Sequence, residues 1–241
     1  MICKAAIGHR VINYFSAPRI EGAKVVIAAV IMMFALSASA GIGARPVSAA
    51  IAAPNDPIEE ARGFVDQAIA ILKNPNLTLT QERRELRALA EPHFDFDGMS
   101  KSALGYHWRD LKPEQRQHFT TLFTAFMEDI ALGRVQDYSG QQLEFTREIS
   151  LGPGQMQVLG HVVRSGGQPI NVSFMSHQVD GRWKVYDIAV ENISVIANYR
   201  NQFNRVINDQ GFPHLMALLQ QKQTELAALL GRKNETARKA D

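Results

Sequence analysis

Two carboxylates separated by one residue, Asp95 and Asp97, are the first candidates for chemistry in this chain of 241 residues. A close acidic pair can bind a metal ion or divide acid and base roles between its members. Asp97 is, however, also placed to cap a helix over residues 99–106, and we expect Asp95 to be exposed. Capping and exposure account for both residues, so the sequence favours a structural role for the pair.

The histidines show no spacing typical of a metal site. A zinc-binding helix usually presents two histidines four residues apart on one face, and no such pair is found among His93, His107 and His118. His161 and His177 fall on different predicted strands, in a register that does not place them opposite each other. The sequence also lacks Gly-x-Ser-x-Gly, and its glycine pairs lie between strands rather than before a helix. We therefore predict no metal site, serine hydrolase site or phosphate loop.

A small acid–base enzyme stays open as an alternative. It would use Asp187 with Tyr186 or His177 inside a cone-shaped α+β fold, and it requires a titratable group whose pKa is strongly shifted within a pocket. An ordinary structural hydrogen bond would explain Asp187 as well. We expect a protein that performs no chemistry and needs no metal or cofactor.

Residues 1–40 have the organisation of a secretory signal peptide. Four basic residues and one acidic residue precede an apolar run over residues 25–36, and small residues follow it. Cleavage is expected between Ala40 and Ala52, so the protein is predicted to be exported. An uncleaved membrane anchor is the alternative, although serines and glycines weaken the second half of the apolar stretch as a membrane span.

Removal of the leader would change both the charge and the cysteine content. Of the chain's 26 basic and 24 acidic residues, the leader holds four and one, which leaves 22 and 23. This near-neutral charge gives no argument for nucleic-acid binding. The only cysteine, Cys3, lies in the leader, so we expect no disulfide in the exported domain and a fold that depends on packing.

Residues 56–230 are predicted to form one α+β domain, after an unstructured lead segment at 41–55 and before a polar, disordered tail at 231–241. The apolar period changes from helical to alternating at residue 142 and back after residue 192. Tight-turn signals separate the alternating segments, so we predict an antiparallel β-meander with helices packed on one face. The helices are predicted at 55–73, 81–90 with Thr80 as cap, 99–106, 112 to Gly133 or Gly140, 193–208 and 213–230, and the strands at 143–151, 156–164, 170–179 and 183–190.

Large apolar side chains are the main candidates for a binding site. They either fill an ordinary core or, where sheet and helices do not close completely, line an apolar cavity. The periodicity leaves both interpretations open. The candidates are Phe119, Leu122, Phe123, Phe126 and Met127 on the helix that starts at 112, and Phe145, Val158, Val172, Phe174, Tyr186 and Ile188 on the strands.

Two segments, 94–123 and 181–207, contain recognisable motifs. They are Phe94-x-Phe96-x-x-Met99, Ala103-Leu104-Gly105, Trp108-Arg109, Pro113-Glu114-Gln115-Arg116, Trp183-x-Val185-x-Asp187 and Tyr199-Arg200-x-x-Phe203. With these motifs the chain resembles the MlaC family of periplasmic phospholipid-binding proteins, also called the toluene-tolerance family. The similarity runs in order from residue 57 to residue 230. One departure is Asn192, where the family usually has glycine. Asparagine tolerates the left-handed backbone best after glycine, so we expect the turn to survive.

The resemblance implies a soluble periplasmic carrier that holds the acyl chains of a glycerophospholipid in an apolar cavity between sheet and helices. Its relatives move lipids between an outer-membrane lipoprotein and porin complex and an inner-membrane ABC transporter with an MCE-domain ring. A hopanoid carrier of the same family is one alternative, and a protein-only adaptor with a collapsed cavity is another. We expect a monomer that binds phospholipid and no nucleic acid.

Overall fold

The computed structural model describes residues 56–74, 76–135, 142–163 and 168–238, so the predicted signal peptide and lead segment lie outside the described residues. Helices precede and follow one block of strands. In chain order the elements are α1 (Pro57–Leu72), α2 (Leu79–Ala90), α3 (Phe96–Leu104), a 3-10 helix (Gly105–Asp110), α4 (Pro113–Val135), β1 (Gln142–Gly152), β2 (Gln155–Val163), β3 (Ile170–Val179), β4 (Arg182–Val190), β5 (Ile193–Ser194), α5 (Val195–Gln210) and α6 (Phe212–Arg238). Within these ranges, no helix is long and apolar enough to cross a membrane.

The strands form one antiparallel sheet in the order β1-β2-β3-β4-β5. The predicted α+β class and meander are therefore confirmed. The β3–β4 hairpin turns through Asp180 and Gly181, which both have positive φ, 52° and 77°. This is the backbone that a two-residue hairpin with a right-handed strand twist requires.

The turn after β4 is left-handed at both of its residues, Glu191 with φ 47° and Asn192 with φ 63°. The prediction that asparagine would replace glycine here without loss of the turn is confirmed. Strand β3 holds the turn in place. The backbone N–H of Asn171 donates to the Glu191 carboxylate over 2.6 Å, and the N–H of Glu191 donates to the Asn171 carbonyl over 2.9 Å.

The helix predicted from residue 193 begins two residues later. Ile193 and Ser194 instead form β5, and Ile193 is 44% exposed. The Ser194 hydroxyl accepts a hydrogen bond from the N–H of Ala197 over 2.8 Å and so caps α5. The apolar spacing suggested an earlier start, but this cap defines the first helical turn.

One face of the sheet is apolar and packs against α1, with α2 adding partly buried leucines. The alternation along the strands places every second side chain on this face. Its buried members are Val158, Val162, Ile170, Val172, Phe174, Ile188 and Val190, which meet Val65, Ala68 and Ile69 of α1. We refer to these residues as the sheet core.

The opposite face of the sheet is partly covered, although helices were predicted on one face only. Ser173 and Ala189 lie on this face and are only 6% and 7% exposed. The N-terminus of α5 lies on the same side, because the N–H of Ile196 donates to the carboxylate of Asp187, two residues before Ala189. The alternation of side chains within a strand cannot predict that a later helix, here α5, packs on the second face of the sheet.

Helices α3 to α6 form a second core of their own. Phe119 and Phe123 stack on α4 with ring centroids 5.5 Å apart, and both meet the edge of Phe203 on α5 at 5.9 and 5.6 Å. Offset and edge-on aromatic contacts of this kind contribute beyond the buried area. Further members are Met99, Ala103, Leu104, Leu122, Phe126, Ile196, Tyr199, Val206, Leu215, Leu218 and Leu219. We refer to these residues as the helical core.

Two predicted caps are wrong by two residues. Thr78, rather than Thr80, caps α2, and Gln81 completes a capping box with it. The sequence held this signal, because the second partner of such a box lies three residues after the cap. Asp95, rather than Asp97, caps α3 by accepting the N–H of Gly98 over 2.8 Å, while Asp97 is exposed in the first turn.

The last helix runs further than predicted. α6 continues to Arg238, whereas residues 231–241 were expected to form a disordered tail. The residues of this segment include alanine, lysine, arginine and glutamate, which all favour helices, and one glycine costs only about 1 kcal/mol within a helix. The polar character of residues 231–241 therefore did not justify the prediction that the helix ends at residue 230.

Candidate functional site

A crevice lies between the first turns of α1 and the apolar face of the sheet. It holds about 430 Å³ of space between atoms, part of it open to solvent. Its walls are Pro57, Glu60, Ala61 and Phe64 of α1, His93 and Phe94 of the segment before α3, and Val158, Phe174, Ser176, Trp183 and Val185 of the sheet.

The segment before α3 is fixed to the sheet by its backbone. The N–H of Asp95 donates to the carbonyl of Val185, and the N–H of Val185 donates to the carbonyl of His93, both over 2.9 Å. These bonds place the ring of Phe94 in the crevice, edge-on to Phe64 at 5.6 Å and stacked on Phe96 at 5.8 Å. The Phe-x-Phe pair therefore joins the crevice to the helical core, which Phe94 and Phe96 also contact.

Strand β4 supplies the other motif residues of the crevice. Val185 pairs with Ser176 and Trp183 pairs with Gln178 across the β3–β4 ladder, so both point to the apolar face. A bulge between Met175 and Ser176 leaves Tyr186 as an extra residue on β4 and puts Asp187 on the opposite face. The bulge thus separates the crevice residues from the predicted acid–base pair.

The strand residues predicted as cavity lining gather around the crevice, with one exception. Val158 and Phe174 line it, and Val172 and Ile188 lie beside them in the sheet core. Phe145 packs against this core with its ring 6.2 Å from that of Phe174. Tyr186 lies elsewhere, 4.9 Å from the His177 ring.

The predicted lining residues on α4 do not reach the crevice in this structure. Phe119, Leu122, Phe123 and Phe126 are buried in the helical core, and Met127 packs against it. The structure therefore divides the predicted set into two groups in separate cores. That the residues of either group contact a ligand stays a prediction.

Sequence reasoning missed most of the crevice wall. Phe94, Trp183 and Val185 belong to the motifs shared with the family, yet they were not predicted to line the cavity. Glu60, Ala61 and Phe64 follow the helical period of α1, but nothing in that period indicates which strand they face. Two signals taken together could have identified these residues. One is membership of a family motif, and the other is a position at the end of the apolar stripe of α1.

Asp187, the main residue of the enzyme alternative, joins β4 to the start of α5. One carboxylate oxygen accepts the N–H groups of Ile188 and Ile196 over 2.7 and 3.1 Å, and the other accepts the Ser194 hydroxyl over 2.5 Å. Burial raises the pKa of Asp187, against the effect of these hydrogen bonds and of the Arg200 charge. Burial and the neighbouring Asp187 charge also raise the pKa of Tyr186. Because both carboxylate oxygens accept hydrogen bonds from the protein, Asp187 has a structural role and links β4 to α5.

We expect Asp187 to make the free energy of unfolding depend on pH. Its folded-state pKa is above the ordinary 3.8, so the stability contributed by the protonated form is complete below that pH and is lost as the pH rises through the raised pKa. Asp187→Asn retains an acceptor but does not titrate. The stability of the wild type relative to this variant should therefore fall across that window, as urea midpoints would show.

The control for this prediction is Asp187→Ala. It leaves the N–H groups of Ile188 and Ile196 without their acceptor, which costs about 1–3 kcal/mol for each unsatisfied buried donor. A difference between wild type and Asp187→Asn that is constant with pH would contradict the expected titration.

Asp95 and Asp97, for which the sequence favoured structural roles, do not form a functional pair. Besides capping α3, Asp95 accepts a hydrogen bond from His177 Nε2 over 2.9 Å and so links α3 to β3. Asp95 was predicted to be exposed, but it is partly buried. Among the described residues, no group of three or more His, Cys, Asp or Glu side chains could hold a metal ion. His161 pairs with Glu144 across β1 and β2 and lies opposite Asn171, away from His177, as predicted.

Comparison with known proteins decides the family. The sequence model of the MlaC protein family matches residues 62–221, more than half of the chain and within the predicted domain. This chain belongs to the MlaC family. The MlaC-family chain is also 24% identical over 159 residues to the intermembrane phospholipid transport system binding protein MlaC of Haemophilus influenzae, a match that covers 64% of this chain and 72% of that protein.

The MlaC-family fold is also found in a solved structure. A phospholipid-binding protein from Ralstonia solanacearum, solved in complex with a phospholipid, superposes with a TM-score of 0.65 at 23% identity. The match covers 72% of this chain and 99% of that protein. At this identity the comparison establishes the shared fold.

Proposed function

We propose that this MlaC-family protein is a periplasmic phospholipid carrier that shields acyl chain in the crevice between α1 and the sheet and performs no chemistry. The observation that carries the proposal is the apolar crevice, on a fold shared with a protein solved in complex with a phospholipid. The family match and the similarity to a phospholipid transport protein support it.

The energetics of a carrier fit an apolar crevice that holds the acyl chain. Each methylene removed from water contributes about 0.8 kcal/mol. A lipid in a bilayer already has this stabilisation, so transfer depends only on the difference between crevice and membrane. An apolar wall of Phe64, Phe94, Val158, Phe174 and Val185 supplies comparable surroundings for a tail.

The crevice has to widen before it can shield an acyl chain. Its roughly 430 Å³ between atoms includes space that is open to solvent, so only part of it is enclosed. We infer that α1 moves away from the sheet when an acyl chain enters, because α1 forms one wall of the crevice.

The partners and route belong to the same proposal. We propose export by the signal peptide at residues 1–40, exchange with an outer-membrane lipoprotein and porin complex, and exchange with an inner-membrane ABC transporter that has an MCE-domain ring. Transport between these complexes would contribute to lipid asymmetry of the outer membrane. The support is the family membership together with the predicted leader.

Mass spectrometry of an organic extract tests the proposed function. The protein, expressed with its leader and purified from the periplasm without detergent, should carry close to one phospholipid per chain. The same spectrum distinguishes a hopanoid from a glycerophospholipid by mass. Repeated preparations with no lipid near stoichiometry would refute the carrier function.

A further inference from the structure

The crevice is apolar along most of its wall and polar at one end. Val158 and Phe174 belong to the sheet core, and the next inward-facing residue of β3 towards the Asp180-Gly181 turn is Ser176. Trp183 follows on β4 in the same direction. The first turn of α1 also lines the crevice, through Pro57, Glu60 and Ala61.

Ser176 is a buried polar group without a protein partner. The residue is only 5% exposed and lines the crevice. Within the described part of the chain, its hydroxyl takes part in no hydrogen bond. The hydroxyl oxygen is not among the fully buried atoms that lack a partner, so it is reached from the open space of the crevice and can bond to a molecule there. The hydroxyl therefore points to a polar group of whatever enters the crevice.

His93 and Glu60 line the same crevice and add hydrogen-bond acceptors to it. His93 Nδ1 lies 2.9 Å from the Leu89 carbonyl, so Nδ1 carries the hydrogen, and Nε2 of the neutral ring is an acceptor. Glu60 is half-buried, and its carboxylate forms no salt bridge or hydrogen bond with the described residues. Acceptors thus outnumber donors, which suits a ligand group that donates hydrogen bonds.

The charges around this end favour a cation over an anion. No lysine or arginine is among the described residues that line the crevice. Arg62, on the same helix, is paired with Glu59 at 3.4 Å and lies over the Phe145 ring. Trp183 adds an aromatic surface, which attracts ammonium groups through its negative face. A headgroup with a net negative charge would be poorly placed here, whereas an ammonium group would be stabilised.

We propose that Glu60, His93 and Ser176 form a headgroup subsite that selects phospholipids with a primary ammonium group, of the ethanolamine type, over phospholipids with an anionic headgroup. The inference rests on the proposed carrier function and names the lipid class that the crevice prefers. The ammonium donates to the Glu60 carboxylate and to Ser176 or His93, and the acyl chain extends along Phe174 and Val158.

Competition between two headgroups tests the subsite. Delipidated protein is loaded from vesicles that contain equal amounts of phosphatidylethanolamine and phosphatidylglycerol with the same acyl chains, and the extracted lipids are quantified. The wild type should retain at least a threefold excess of phosphatidylethanolamine. Glu60→Gln should bring the ratio close to one.

Two further variants separate the subsite from general charge effects. Asp66→Asn makes the same change of charge at an exposed position of α1 and should leave the ratio unchanged. Ser176→Ala removes only the hydroxyl and should also lower the ratio. Equal retention of both lipids by the wild type, or the same shift in Asp66→Asn as in Glu60→Gln, would overturn the subsite and leave the carrier function standing. Failure of the wild type to take up either lipid would refute the carrier function itself.

Discussion

Ala61→Trp is expected to reduce phospholipid bound per protein at least tenfold. Ala61 is a small residue in the α1 wall of the crevice, and an indole side chain there would occupy much of the space available to an acyl chain. Excluding the tail from the crevice removes the apolar burial that binds the lipid. A tenfold loss corresponds to about 1.4 kcal/mol of binding free energy. Lipid phosphorus per protein after purification measures it.

The matched control for crevice filling is Ala88→Trp on α2, where the alanine is exposed and lies outside the crevice wall. It should bind as much lipid as the wild type. Ala61→Leu should give an intermediate loss, because it fills less of the crevice. If Ala61→Trp keeps a native circular dichroism spectrum and full lipid content, the crevice is not the binding site.

Phe123→Ala is expected to lower the free energy of unfolding by about 3–5 kcal/mol without reducing lipid bound per folded molecule. Phe123 is 1% exposed, and its ring lies 5.5, 5.9 and 5.6 Å from those of Phe119, Tyr199 and Phe203. Removal of the ring leaves a cavity in the helical core rather than in the crevice. Urea unfolding measures the stability, and lipid extraction of the folded fraction measures binding. A loss of this size is a large share of the 5–15 kcal/mol typical of a domain.

The result of this substitution decides whether the α4 residues contact lipid. Phe123→Leu keeps most of the apolar volume and should lose less stability, so it serves where the alanine variant does not fold. If either variant loses lipid while it stays folded, the binding site extends into the helical core, and the lining set predicted from sequence is right. If both keep lipid, Phe119, Leu122, Phe123 and Phe126 are residues of a solid core.

Local patterns predicted the elements well because each signal acts over a few residues. The four predicted strands agree with the observed ones to within a residue, since tight turns such as Asp180-Gly181 are decided by their own backbone preferences. The same locality explains why Asn192 could be assigned a left-handed conformation. Errors of two residues at Asp97 and Thr80 arose where two capping residues lie close together, and only the hydrogen bonds formed decide between them.

The sequence by itself determined the meander, the helical stripes and, through its motifs, the family. Tertiary structure alone decided which apolar residues face a crevice and which fill a core. Phe123 and Phe174 have the same side chain and are both buried, yet one packs among helices and the other beside an opening under α1. The physical reason is that periodicity reports which side of an element avoids water, whereas an opening depends on how closely two distant elements approach.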